Sequence, residues 1–110
     1  MFEETLYQDS TDGKPFVDVL KEAGIIPGIK VDSGLKPLVG GGDGETWCSG
    51  LDGLYDKCVL HYAQGARFAK WRTAVRIDTE KGFPTDYAID EAAHGLSRYA
   101  LSLIHISEPT

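Results

Sequence analysis

An α/β fold built on parallel strands is what this 110-residue sequence predicts. Three observations lead there. Segments of strand character alternate with segments of helical periodicity. The strand segments carry apolar residues on one face and charges on the other. Turn formers and helix caps sit at the borders between them. Strands alternating with helices mean parallel strands joined by right-handed crossovers.

Taken in order, "MFEETLY" (1–7) is a short strand and "DSTDGKP" a turn. Pro15 suits a first helical turn; Phe16, Val19, Leu20 and Ala23 then repeat at helical spacing, and Gly24 ends the helix. "IIPGIKV" (25–31) is the second strand, where Pro27 and Gly28 predict a bend or a close approach. "DSGLKPLVGGGDGETWCSG" is a long loop. Leu51, Leu54, Tyr55, Cys58 and Tyr62 mark a helix that ends near Gly65. Residues 66–77 form the third strand. The polar turn "DTEKGFP" leads to Thr85, a good N-cap, and Ile89, Ala92, Ala93, Leu96 and Tyr99 form one helical stripe. The predicted order is therefore βαβαβα. It fits an open doubly wound sheet or part of a closed (β/α)₈ barrel. Three βα units complete neither, since a barrel takes ~250 residues.

Composition narrows the function. The net charge is −6. A nucleic-acid or membrane surface wants a basic excess, so neither partner is expected. The apolar runs are far shorter than the ~20 residues of a membrane span. No basic-then-apolar signal segment opens the chain, which predicts a cytoplasmic protein. Cys48 and Cys58 lack metal-ligand spacing and read as reduced thiols, with no metal expected. "GGGDG" lacks the order of a phosphate loop. His61 and His94 read as surface or boundary positions on helices. Tyr55, Tyr62, Tyr87 and Tyr99 follow helical stripes and read as packing residues.

The chemistry concentrates in "RFAKWRTAVRI" (67–77). Lys70 and Arg72 are two residues apart, so on a strand they leave the same face, ~6–7 Å apart. "GIKVD" repeats the oddity: Lys30 and Asp32 share one face, Ile29 and Val31 the other. Cations side by side resist burial unless something negative meets them. Ligands of parallel βα units bind at the C-terminal ends of the strands, so Lys30, Lys70 and Arg72 can surround one polyanion. Arg supplies a planar fork for phosphate and Lys a point charge. The competing reading pairs these cations with acids of the protein, such as Asp32 or Glu3. Glu3 or Glu4 is a candidate partner for Lys70.

The stretches "FEETLYQ", "DGKPF", "GIKVDSG", "DGET", "GLDGL", "GARFAKWR" and "LSRYA" resemble class I fructose-bisphosphate aldolases, the Schiff-base type, in that family's order. The resemblance spans residues 1–100. It implies a partial (β/α)₈ TIM barrel of about three βα units, from strand 2 to helix 4, truncated at both ends. It implies a sugar-phosphate substrate, no cofactor and a homotetrameric parent. By motif, Lys30 contacts the far phosphate region of the substrate, Lys70 lines the active site and assists carbon–carbon cleavage, and Arg72 is a phosphate-side contact. The family's Schiff-base lysine and "EPE" acids fall beyond Ala100, and its first-strand aspartate falls before Met1. The fragment is thus expected to be inactive alone. Rival readings are another phosphosugar barrel enzyme, such as an isomerase, and a non-catalytic phosphate-binding module.

"LSLIHISEPT" (101–110) continues the apolar helix pattern, yet it also resembles a sequencing-library adapter read in frame. The tail is therefore expected to be non-native, and His105 and Glu108 are not site candidates.

Overall fold

A computed structural model describes residues 1–107, with side chains to residue 106. It is a mixed α/β arrangement of helix α1 (Glu3–Leu6), helix α2 (Phe16–Glu22), strands β1 (Gly28–Lys30), β2 (Gly34–Pro37) and β3 (Thr46–Ser49), helix α3 (Leu54–Gln64), strand β4 (Phe68–Lys70), a 3₁₀ turn (Thr79–Lys81) and helix α4 (Asp86–Ser107).

Two strands lie parallel, as the alternation predicts. β1 pairs with β4 in the register Gly28 to Phe68, Ile29 to Ala69 and Lys30 to Lys70. The close approach expected at Gly28 is present: a Cβ there would lie 2.1 Å from the Phe68 ring. Alternation then divides the faces. Ile29 and Val31 point into the apolar cluster with Leu6, Val17, Leu54, Cys58 and Ala66, and Ala69 and Trp71 pack against it. Burying each large aliphatic chain stabilises by ~1.5–3 kcal/mol. Lys30 and Lys70 take the opposite face.

The predicted strand 1–7 is corrected. Only Met1 runs beside β1: its amino group donates to Gly28 O at 2.8 Å, and Lys30 N–H donates to Met1 O at 2.9 Å. Glu3 and Glu4 then sit in the first turn of α1, where helix dipole and carboxylate agree, and Leu6 is fully buried. In α2 the buried residue is Val17, and Val19 of the predicted stripe is exposed. Gly24 closes that helix at φ +77°. α3 ends at Gly65, φ +126°, where a Cβ would meet Val17 Cγ1 at 2.3 Å. Only glycine lets α3 and α2 meet so closely.

The predicted loop 32–50 holds an antiparallel hairpin, with Gly34 opposite Ser49 and Pro37 opposite Thr46. Gly34 and Pro37 hide it from a propensity reading, because neither favours a strand. The predicted strand 66–77 shrinks to Phe68–Lys70. Among the described residues nothing pairs with the far edge of β4, so no ladder extends it through residues 71–77.

Thr85 caps α4 as expected: its Oγ1 accepts from Ala88 N–H at 3.2 Å. The stripe is less covered than predicted. Ile89 and Leu96 stay exposed, whereas Tyr99 stacks on Trp71 with ring centroids 5.1 Å apart. Residues 101–107 continue the helix, and Leu103 and Ile106 pack on the core. Residues 108–110, Glu108 included, lie outside the described residues. No helix among the described residues is long and apolar enough to cross a membrane.

The shape is elongated, 54 × 35 × 22 Å, with a radius of gyration of 17.0 Å. A compact domain of this length has ~13 Å. Phe68, Val75, Ile77 and Leu60 are all exposed, and the outer edge of β4 is open. The chain produced alone will therefore aggregate or melt without cooperativity. Calorimetry and methyl NMR check this; a sharp monomeric transition with dispersed methyl signals contradicts it.

Candidate active site

The register of β1 and β4 brings the Lys30 and Lys70 backbones to neighbouring positions on one face, ~4.8 Å apart. Two ammonium groups so placed repel each other. The Asp32 carboxylate, with a side chain only 3% exposed, lies between them. Lys30 Nζ donates to Asp32 Oδ1 at 2.8 Å and to Asp32 O at 3.1 Å. Gly34 N–H donates to the same Oδ1 at 3.1 Å. Lys70 Nζ stands 3.8 Å from Oδ2, beyond hydrogen-bond reach. Burial pushes the Asp32 carboxyl up, but the Lys30 hydrogen bond and charge, the Gly34 N–H and Lys70 together hold it below its ordinary value.

Lys30 and Lys70 thus meet as expected, and the acid that partners them is Asp32. The expectation for Glu3 is corrected. Its carboxylate faces α3, 3.8 Å from Lys57 Nζ and 4.0 Å from His61 Nε2, because α1 turns it away from the strand face. Arg72 lies past the end of β4 with its side chain exposed. Its backbone lies close enough to the Cys48 thiol to favour the thiolate. A cavity of about 220 Å³ opens beside Phe2, Gly28, Lys30, Phe68 and Lys70. That face has two cations, one buried carboxylate and an open cavity, which suits an anionic ligand.

The hairpin supports the face from beside. Ser33 N–H donates to Ser49 O at 2.8 Å, and Ser49 Oγ donates to Gly34 O at 3.0 Å. Cys48 lies buried below, a free thiol pushed up by burial and by Asp32. Cys58 is also free and buried. Among the described residues no group of three or more His, Cys, Asp and Glu side chains is arranged to hold a metal ion.

Two residues escaped the sequence reading. His61 is buried, against the expected surface or boundary position. Its Nδ1 is 2.9 Å from the Tyr7 hydroxyl, and burial holds its pKa down. Glu45, 4% exposed, fastens the glycine-rich loop to the start of α4. Its Oε1 accepts from Gly42 N–H at 2.8 Å and from Thr85 Oγ1 at 2.7 Å, and its Oε2 from Thr85 N–H at 2.9 Å. The Glu–Thr contact spans forty residues of sequence, so no local pattern announces it.

Burial pushes Glu45 up, yet the Thr85 and Gly42 donors and Arg76 hold it below its ordinary value of 4.5. The folded pKa is depressed, so the contact is complete above pH 4.5 and is lost as pH falls through the lower folded value. Hydrogen exchange on the full-length protein will show the Gly42 and Thr85 amides losing protection in that acid range. Glu45→Gln will lose protection at neutral pH; unchanged protection in both cases contradicts the assignment.

Comparison with known proteins follows the same lines. The family model for class-I fructose-bisphosphate aldolase matches residues 1–106. "Fructose-bisphosphate aldolase 1, chloroplastic" of Arabidopsis thaliana is 57% identical over 114 aligned positions, covering 99% of this chain and 28% of that protein. "Fructose-bisphosphate aldolase 6, cytosolic" of the same plant is 54% identical, covering 99% of this chain and 31% of that protein. Relatives named for both compartments therefore carry this segment. A solved structure of the Plasmodium falciparum aldolase superposes with a TM-score of 0.91 at 51% identity, over 96% of this chain and 30% of that one. The chain spans less than a third of the length of each of these relatives, and it belongs to the class-I fructose-bisphosphate aldolase family.

Proposed function

We propose that this chain is a segment of an enzyme that cleaves fructose 1,6-bisphosphate to dihydroxyacetone phosphate and glyceraldehyde 3-phosphate. The observation that carries the proposal is the parallel register that sets Lys30 beside Lys70 on an uncovered, cation-bearing face. In the parent that face lines a (β/α)₈ barrel, of which residues 1–100 supply the stretch from strand 2 to helix 4. Lys30 and Arg72 hold the phosphate regions of the substrate. Lys70 stands at the carbon chain and assists the bond cleavage. Residues 101–110 are a non-native tail, which sequencing of a full-length clone tests. The parent assembles as a homotetramer, which sedimentation of the full-length protein tests.

The reaction proceeds through a lysine on a later strand. Its free amine adds to the substrate ketone and water leaves, forming an iminium. The hydroxyl proton at C4 goes to a base, and the C3–C4 electron pair moves toward the iminium nitrogen. The aldehyde departs and an enamine remains. Protonation of the enamine and hydrolysis return the ketone and the lysine. Lys70 assists from the β4 side, where its ammonium stabilises charge that develops as the bond breaks.

In the full-length parent, Lys70→Ala will lower kcat by about 10²-fold or more while leaving thermal stability nearly unchanged, as for a group that acts mainly in the transition state. An unchanged kcat contradicts the role. Dihydroxyacetone phosphate with borohydride, read by intact mass, will trap a single adduct on the parent at a lysine beyond Ala100. The 110-residue chain will trap none. An adduct on Lys70 overturns the assignment, because the nucleophile would then lie within this segment.

A further inference from the structure

We propose that Asp32 is a positioning residue of this site, whose carboxylate sets both the separation and the net charge of the Lys30–Lys70 pair. The claim about turnover rests on the aldolase reading above; the claim about charge does not. Each lysine forms an ion pair with this one carboxylate, Lys30 at 2.8 Å and Lys70 at 3.8 Å. The carboxylate is the fixed member. Its side chain is 3% exposed, whereas those of Lys30 and Lys70 are 31% and 51% exposed.

Oδ1 is held by Lys30 and by Gly34 N–H. The backbone beside it is clamped by Ser33 N–H to Ser49 O, and a Cβ on Gly50 would come within 2.8 Å of Ser33 N. A residue that only shaped the turn would be satisfied by the Oδ1 contact to Gly34. Oδ2 is different: it is buried and, among the described residues, has no hydrogen-bond partner. A buried carboxylate oxygen left unpaired is costly, so it favours any donor that moves within reach. Lys70 Nζ is the cation aimed at it. A shift of about 1 Å makes the bond and fixes the ammonium against the open face.

Counting charges gives a testable opposition. Two lysines and one aspartate leave this pair at a net +1; with asparagine at position 32 it is +2. An anion is then held more tightly, while the ammonium of Lys70 loses the partner that places it. Anion affinity and turnover therefore move in opposite directions, whereas damage to the fold would lower both.

The test uses the full-length parent as wild type, Asp32→Asn and Asp32→Glu. Inorganic phosphate binding is measured by calorimetry at low ionic strength, beside kcat and KM for fructose 1,6-bisphosphate. Asp32→Asn is expected to bind phosphate about three-fold tighter or more. Its kcat is expected to fall about ten-fold or more. Asp32→Glu keeps the charge and misplaces it, so phosphate affinity stays at the wild-type value and kcat still falls. Weaker phosphate binding by Asp32→Asn, or a kcat within about two-fold of wild type, overturns the proposal. Should Asp32→Asn fail to fold, Asp32→Glu decides: a wild-type kcat overturns the positioning role. A wild-type parent with no turnover overturns the aldolase reading instead, and the phosphate comparison still decides the role of Asp32 in setting charge.

Discussion

Two lysines on adjacent parallel strands cannot share a face without a counter-charge, and the architecture around β1 and β4 follows from that constraint. The register sets Lys30 against Lys70, and the chain answers with Asp32 just past the end of β1. Placing a carboxylate there requires the chain to stop being a strand and turn. That turn feeds the β2–β3 hairpin, which in turn buries the carboxylate. The hairpin, absent from a simple βα succession, is thus the part of the fold that makes the cation pair tolerable.

The other face of the same two strands obeys ordinary hydrophobic rules. Ile29, Val31, Ala69 and Trp71 point toward α2, α3 and α4, and the core forms where their side chains meet Leu6, Val17 and Leu54. Glu45 then joins the hairpin loop to α4. Strand face, hairpin and helix start are one connected unit. Its open side is the face that carries the cations.

The site was legible in part. Alternation along "GIKVD" and "FAKWR" placed Lys30 and Lys70 on a common face, because the period of two is set by the backbone itself. It placed Arg72 there as well, on the assumption that the strand continued. The strand stops at Lys70, and Arg72 lies past its end. Glu45 and His61 were not legible. Their partners, Thr85 and Tyr7, are 40 and 54 residues away in sequence, and neither spacing repeats a local period.

By itself the sequence determined the periodic features: α2, α3 and α4, the parallel character of the β1–β4 pair, the Thr85 cap, and the glycines at the end of α3 and beneath Phe68. These depend on neighbours a few residues apart or on the steric limits of one residue. Tertiary structure alone decided the rest. Whether 1–7 pairs or coils depended on how far Met1 could reach along β1. Whether 71–77 is a strand depended on a partner for its ladder. Whether "GLKP" and "TWCS" pair depended on their meeting across a glycine-rich connection. A strand is completed by another strand and a buried charge by a distant counter-charge, so neither is settled until the chain has folded back on itself.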